Sequence, residues 1–210
     1  MTTQTALISF TLAAALLTVT PGLDTALVLR TAAVEGRRSA YAAAMGICLG
    51  VLVWGVIVAL GLGALLAASQ RAYDVLRWTG AAYLLYLGIG MIVRPRSSFS
   101  ASDASMSERN GKRNWFVRGI LTNLLNPKVG VFYVSFLPQF IPARQNVPLF
   151  TVGLAGIHSL EGILWFALLI AATQPAIGAL RRPGMMKALD RLTGTILIGF
   201  GIRLVAEARR

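Results

Sequence analysis

The chain has 210 residues, of which 56% are hydrophobic and 13% charged. A soluble domain carries about twice that share of charge, so the composition excludes an ordinary water-soluble globule and points to lipid as the surrounding solvent. The formal net charge is +12, from 20 Lys and Arg against 8 Asp and Glu; the basic residues lie mostly between apolar runs, where insertion polarity and anionic lipid account for them and a nucleic-acid partner does not.

A helix needs about 20 mostly apolar residues to cross the hydrocarbon core. Six runs qualify: Ala6–Leu29, Tyr41–Ala67, Tyr73–Val93, Trp115–Phe140, Pro148–Ala172 and Leu189–Ala206. None alternates with period two, so a barrel is not expected and the fold class is an all-α integral membrane protein. No Lys or Arg precedes the first run, which therefore reads as a retained span rather than a signal peptide. Lys and Arg concentrate after the first, third and fifth runs, for example at Arg37, Arg38, Arg94, Arg96, Arg181 and Arg182. By the positive-inside bias these segments are cytoplasmic and both termini lie outside, although Arg209 and Arg210 in the tail run against it.

The Ser-rich stretch 94–114 is polar and aperiodic and reads as a cytoplasmic linker between a first three-helix repeat, 1–93, and a second, 115–210. The halves echo one another. Arg77-Trp78-Thr79-Gly80 returns as Arg191-Leu192-Thr193-Gly194, each followed by a Gly-x-Gly, Gly88/Gly90 and Gly199/Gly201. Thr20-Pro21 interrupts the first run, and Asn126-Pro127 interrupts the fourth. Three spans per half reverses the orientation of the second half, so the expectation is a 3+3 inverted repeat of six spans, the first and fourth broken at proline. Paired interruptions of this kind are the sequence pointer to a midplane binding site.

Each interruption has the form of a helix start, with a capping side chain followed by proline at the first helical position. The first run then divides into half-helices over Ala6–Val19 and Pro21–Leu29. Two such N-termini, meeting in mid-membrane, offer free N–H groups and partial positive charge to an anion. Asp24, on the first turn of its half-helix, offers a negative counterpart to an ammonium group. An anion site beside an ammonium site describes an α-amino acid. The plainer alternatives are that the prolines only kink their helices and that Asp24 only answers the helix dipole.

Other polar groups inside the runs are few. His158 and Glu161 are three apart in the fifth run, on one helix face, and both exchange protons; a hydrogen-bonded packing pair is the alternative. Lys128 has three candidate partners: Asp24, a substrate carboxylate, and Glu161. The single Cys48 excludes an internal disulfide or a paired-cysteine redox centre and reads as a small packing residue. Gly46 and Gly50 have the spacing that lets helices approach closely, serving internal packing or a homodimer. Trp78 and Trp115, at span ends, read as interface anchors.

These blocks together, "TPGLDTALVL", "GRRSAYAAAMGICLG", "GAAYLLYLG", "GILTNLLNPKVGVFYVSFLPQF" and "RLTGTILIGFGIRL", resemble the LysE/RhtB family of amino acid exporters over nearly the whole chain. The family's Pro-Gly-Pro is here Pro21-Gly22-Leu23. The resemblance implies export of amino acids or small derivatives across a bacterial cytoplasmic membrane, driven by proton exchange. It carries over Pro21, Gly22, Asp24, Asn126, Pro127 and Lys128 as substrate-binding positions. Within that frame Asp24, Glu161 and His158 are the candidates for proton coupling. The partners expected are a small amino acid, protons and lipid, with no cofactor and no resident metal. The alternative is a divalent-metal or other cation exporter using Asp24, His158 and Glu161, a thin ligand set for a transition metal. No nucleotide-binding, HExxH or GxSxG pattern supports ATP coupling or an enzyme.

Overall fold

In a computed structural model of the chain, residues 2–68, 70–95, 114–143, 145–172 and 183–208 are described. Most of the expected linker and the basic pair Arg181 and Arg182 lie outside them. Every regular element among the described residues is helical. In chain order these are α1 (Thr3–Val19), α2 (Leu23–Val34), α3 (Arg37–Ala68), α4 (Gln70–Val93), α5 (Trp115–Leu124), α6 (Pro127–Val131), α7 (Val147–Ala171) and α8 (Pro183–Ala208). α6 is prolonged by a π turn, Phe132–Phe136, and a 3₁₀ turn, Leu137–Phe140. Pro138 has no N–H to continue an α ladder, so the backbone changes turn type around it.

Two stretches, Arg37–Gly61 of α3 and Val147–Ala171, are long and apolar enough to cross a membrane. The pairs α1–α2 and α5 with Pro127–Phe140 pass the same test jointly and bend by 49° and 52° at their breaks. The described residues therefore hold two to four spans by this measure. The expected third and sixth runs form α4 and α8, which pack along each other.

The two breaks differ. At the second, Asn126 caps α6 through a bond from the Lys128 N–H at 3.1 Å, with Pro127 in the first turn, the form expected. At the first, Thr20 closes α1 instead of opening α2. Its hydroxyl donates to the Leu16 carbonyl at 2.6 Å, and α2 starts only at Leu23 behind Gly22, which has no capping side chain. A threonine hydroxyl serves the carbonyl four residues back as readily as an N–H ahead, and the following proline disfavours helix at Thr20 itself. Gly36, at φ +88°, makes the turn into α3, a conformation that favours glycine.

Lipid is as apolar as leucine, so helix association here rests on close packing rather than burial from water. Glycines provide it. A Cβ on Gly46 would fall on the Phe116 carbonyl of α5, and one on Gly119 would fall on the Ala43 carbonyl of α3. The face carrying Gly46 and Gly50 is thus occupied by α5, which settles that motif as internal packing. Gly88 and Gly194 stand in the same relation between α4 and α8, an added Cβ on either lying 2.7 or 2.6 Å from the other's carbonyl oxygen. Trp115 is corrected: it is 8% exposed, packed with Ile47, Phe166 and Leu169, with the Arg118 guanidinium 5.3 Å from its ring centroid. The interface-anchor reading fails because α5 turns this ring toward α3 and α7. Trp78 is 43% exposed, as an anchor would be.

Among the described residues the core falls into two clusters. One joins α1 to the far half of the second broken span through Phe10, Phe132, Phe136 and Phe140, with edge contacts between centroids at 5.5 and 4.8 Å. The other joins α2, α3, α5 and α7 through Leu27, Ala43, Ile47 and Leu169. The breaks lie between them, each held by packed side chains above and below.

Candidate functional site

The charges of the breaks follow from helix ends. α1 stops in the apolar interior and leaves carbonyls exposed at its negative end; α2 starts there and leaves N–H groups at its positive end. Lys128 answers the first. Its Nζ donates to the Leu17 carbonyl at 2.9 Å and the Thr20 carbonyl at 3.0 Å, tying α6 to the end of α1. Asp24 answers the second from the first turn of α2. Of the partners open to Lys128 from sequence, Asp24 is near enough to feel its charge, and the lysine's hydrogen bonds go to the main chain of the opposite break.

Asp24 Oδ2 accepts from Asn123 Nδ2 at 2.9 Å and from Asn126 Nδ2 at 3.3 Å. Asp24 Oδ1 is shut from solvent and has no hydrogen-bond partner. Asn123 was not anticipated. It is fully buried at the end of α5, and its signal was an unexplained amide in the run "LTNLLNPK", three residues before the break. Asn126 is held at both ends, its Oδ1 by the Lys128 N–H and its Nδ2 by Asp24. The two half-helix N-termini are consequently unlike: that of α6 is capped by its own asparagine, and that of α2 has no side-chain cap.

These groups border two cavities. A small one, of about 30 Å³, is walled by Asp24, Thr18, Cys48, Asn123, His158 and Lys128, among others. It has room for about two water molecules and none for an amino acid. Thr18 Oγ1 and Asn123 Oδ1 are two further buried, unpartnered oxygens in residues of this wall. A wide vestibule of about 630 Å³ lies between the breaks and the α4–α8 pair, bordered by Pro21, Pro127, Tyr86, Arg94 and Asp190. Asp190, 2% exposed, is another residue that sequence reasoning passed over, because it stands at the polar start of an apolar run. Gly22, Asn126 and Lys128 border both cavities.

His158 and Glu161 do not pair. His158 Nδ1 lies 3.1 Å from the Tyr133 hydroxyl, and the two rings stack with centroids 5.7 Å apart. Glu161, half-buried, has both carboxyl oxygens shut from solvent without a partner, as has the Trp165 indole nitrogen one turn on. Cys48 is buried, and its carbonyl accepts from Ser159 Oγ at 3.2 Å, joining α3 to α7. Among the described residues no group of three or more His, Cys, Asp or Glu side chains could hold a metal ion. Asp24 and His158 border the same small cavity and Glu161 does not, so the metal-exporter alternative has no assembled set of three ligands among the described residues. What the joint can do is bind a cationic donor at Asp24 Oδ1 inside a small pocket; among the described residues around it no activated nucleophile is presented.

Residues 15–208 match the LysE type translocator family. The chain is 34% identical over 197 residues to the uncharacterized membrane protein YrhP of Bacillus subtilis, covering 90% of this chain and 93% of that protein. It is 31% identical to a homoserine/homoserine lactone efflux protein of Salmonella typhimurium, covering 96% of each. It is 30% identical to the threonine efflux protein of Escherichia coli, covering 89% of this chain and 91% of that protein. No solved structure matches the chain. The chain belongs to the LysE type translocator family, and is a membrane transporter rather than an enzyme.

Proposed function

We propose that this LysE-type translocator is a secondary transporter that exports a small amino acid or amino acid derivative from the cytoplasm by proton antiport. The observation that carries the reading is the Asp24 carboxylate at the joint of two broken spans. Two amides hold one of its oxygens, and the other is buried without a donor. An α-ammonium group supplies that donor, and the uncapped N-terminus of α2 supplies N–H groups for the α-carboxylate. Relatives named for homoserine/homoserine lactone and threonine efflux support the same substrate class.

In this reading α4 and α8 complete six spans in a 3+3 inverted repeat, set in a bacterial cytoplasmic membrane with both termini outside. The vestibule, bordered by Arg94 at the end of α4, then opens toward the cytoplasm. Pro21, Gly22, Asn126, Pro127 and Lys128 frame the substrate. Glu161 carries the proton, since a buried carboxylate with no donor changes proton occupancy without breaking a hydrogen bond. His158 assists from one turn away.

The test is a substrate panel. Cells loaded with individual dipeptides should release at least one small amino acid faster when they make the protein. Equal efflux with and without it across the panel would overturn the reading.

A further inference from the structure

Asp24 and Glu161 are not joined by a hydrogen bond: Asp24 is held by Asn123 and Asn126, and the Glu161 carboxyl has no partner. Tyr133 and His158 connect their two neighbourhoods. His158 borders the small cavity together with Asp24. Its Nδ1 lies 3.1 Å from the Tyr133 hydroxyl, and the two rings stack. Tyr133 is fully buried in the π turn, a type of turn that often marks a functional position in a helix. It is near enough to Glu161 to feel the charge of that carboxylate. The cavity end suits water. Asp24 Oδ1, Thr18 Oγ1 and Asn123 Oδ1 are buried without a partner, and a space of about 30 Å³ admits about two water molecules.

We propose that Tyr133 and His158 form a proton relay between Glu161 and the Asp24 cavity, so that a proton arriving at Glu161 displaces the substrate ammonium from Asp24. The proposal rests on the antiport reading. The Glu161 carboxyl, held by no donor, turns its O–H to the Tyr133 oxygen and gives its proton there. The Tyr133 hydroxyl proton passes to His158 Nδ1, the Nε2 proton passes to cavity water, and a water proton passes to Asp24. Glu161 is left a carboxylate and Asp24 a neutral acid. Tyr133, His158 and the water each lose one proton and gain one. The neutral Asp24 no longer makes a charge-assisted bond to an ammonium, and the substrate leaves. The Glu161 carboxylate has a donor one turn on in the Trp165 indole N–H, which is also buried without a partner. A new ammonium arriving at Asp24 drives the proton back along the same path, which restores the histidine tautomer. Lys128 from α6 and Cys48 from α3 are the other titratable groups facing the cavity among the described residues, and the Lys128 charge reaches both Asp24 and His158. That like charge is the reason the proton crosses the ring by a change of tautomer rather than by a stay as imidazolium.

The full-length protein is tested in proteoliposomes with labelled L-threonine and L-homoserine. Uptake into vesicles that are acidic inside reads proton coupling, and exchange of internal for external amino acid at equal pH reads binding and movement without it. Tyr133→Phe removes one oxygen and keeps the ring between Phe132 and His158. It should lose about 100-fold or more in the initial rate of pH-driven uptake, the scale of one positioned proton-transfer group, while exchange stays within about twofold of wild type. His158→Gln keeps a hydrogen-bonding partner for the Tyr133 hydroxyl but has no ring to change tautomer, so it should show the same split; a purely structural bond would be rescued by the amide. pH-driven uptake equal to wild type in either variant overturns the relay. So does a Tyr133→Phe protein that loses exchange along with uptake, because the hydroxyl then serves the fold or the substrate site. A wild type that exchanges either amino acid but ignores the pH gradient overturns the antiport reading, and the relay with it.

Discussion

Gly50→Ala sets helix propensity against packing at the site. In a helix interior alanine outperforms glycine by about 1 kcal/mol, so local physics predicts a more stable protein. The tertiary contact predicts the reverse. A Cβ on Gly50 would lie 2.8 Å from Asn123 Oδ1, 2.9 Å from its Cβ and 3.1 Å from its Cγ. Retreat of α3 would give up the close packing of Gly46 on the Phe116 backbone one turn earlier, so the Asn123 side chain is the cheaper group to move. Asn123 must therefore yield by about half an ångström to regain ordinary contact. Its bond to Asp24, 2.9 Å long, is lost or badly stretched. Overpacking costs about 1–3 kcal/mol, which exceeds the propensity gain in most of that range. A charge-assisted hydrogen bond contributes about 1.5–3 kcal/mol, so substrate affinity should fall roughly 10- to 150-fold. Thermal unfolding of the purified protein and efflux at sub-saturating substrate measure the two effects separately. Adding Asn123→Gly removes all three crowding atoms, so it should relieve the packing cost without restoring transport. A Gly50→Ala protein that is more stable than wild type and transports normally would refute both the packing and the role given to Asn123.

Asp24→Asn should insert and fold yet lose nearly all efflux, since the negative charge that pairs with the substrate ammonium is gone; normal efflux from a well-expressed variant would reduce Asp24 to a helix-dipole partner. Glu161→Gln in reconstituted vesicles should still bind substrate and exchange it for substrate, but lose accumulation driven by a pH gradient. Accumulation equal to wild type would remove Glu161 as proton carrier. Gly46→Ala and Gly119→Ala should each destabilise by about 3 kcal/mol or more in a detergent unfolding assay, because the added methyl meets main chain. Their double variant should cost less than the sum, since separating α3 from α5 once relieves both.

Local physics was legible in the sequence. Asn126-Pro127 announced a helix start because a cap and a first-turn proline act within three residues. Asp24 announced itself because a carboxylate in an apolar run has few harmless explanations. Thr20 was misread for a local reason too: the same hydroxyl serves either end of a helix, and only the neighbouring backbone decides which. The family was legible from the ordered blocks, which span most of the chain. Partners across elements were not. Lys128 meets Leu17 and Thr20, Asn123 meets Asp24, and His158 meets Tyr133 rather than the Glu161 one turn away. Each of these depends on how far a helix is rotated about its own axis. A soluble helix reveals that rotation by its polar face. Helices that are apolar nearly all round, as α1, α3 and α7 are, carry no such mark. Their rotation is set where glycine lets one backbone touch another, as Gly46 and Gly119 do between α3 and α5, and that contact exists only once the chain is packed.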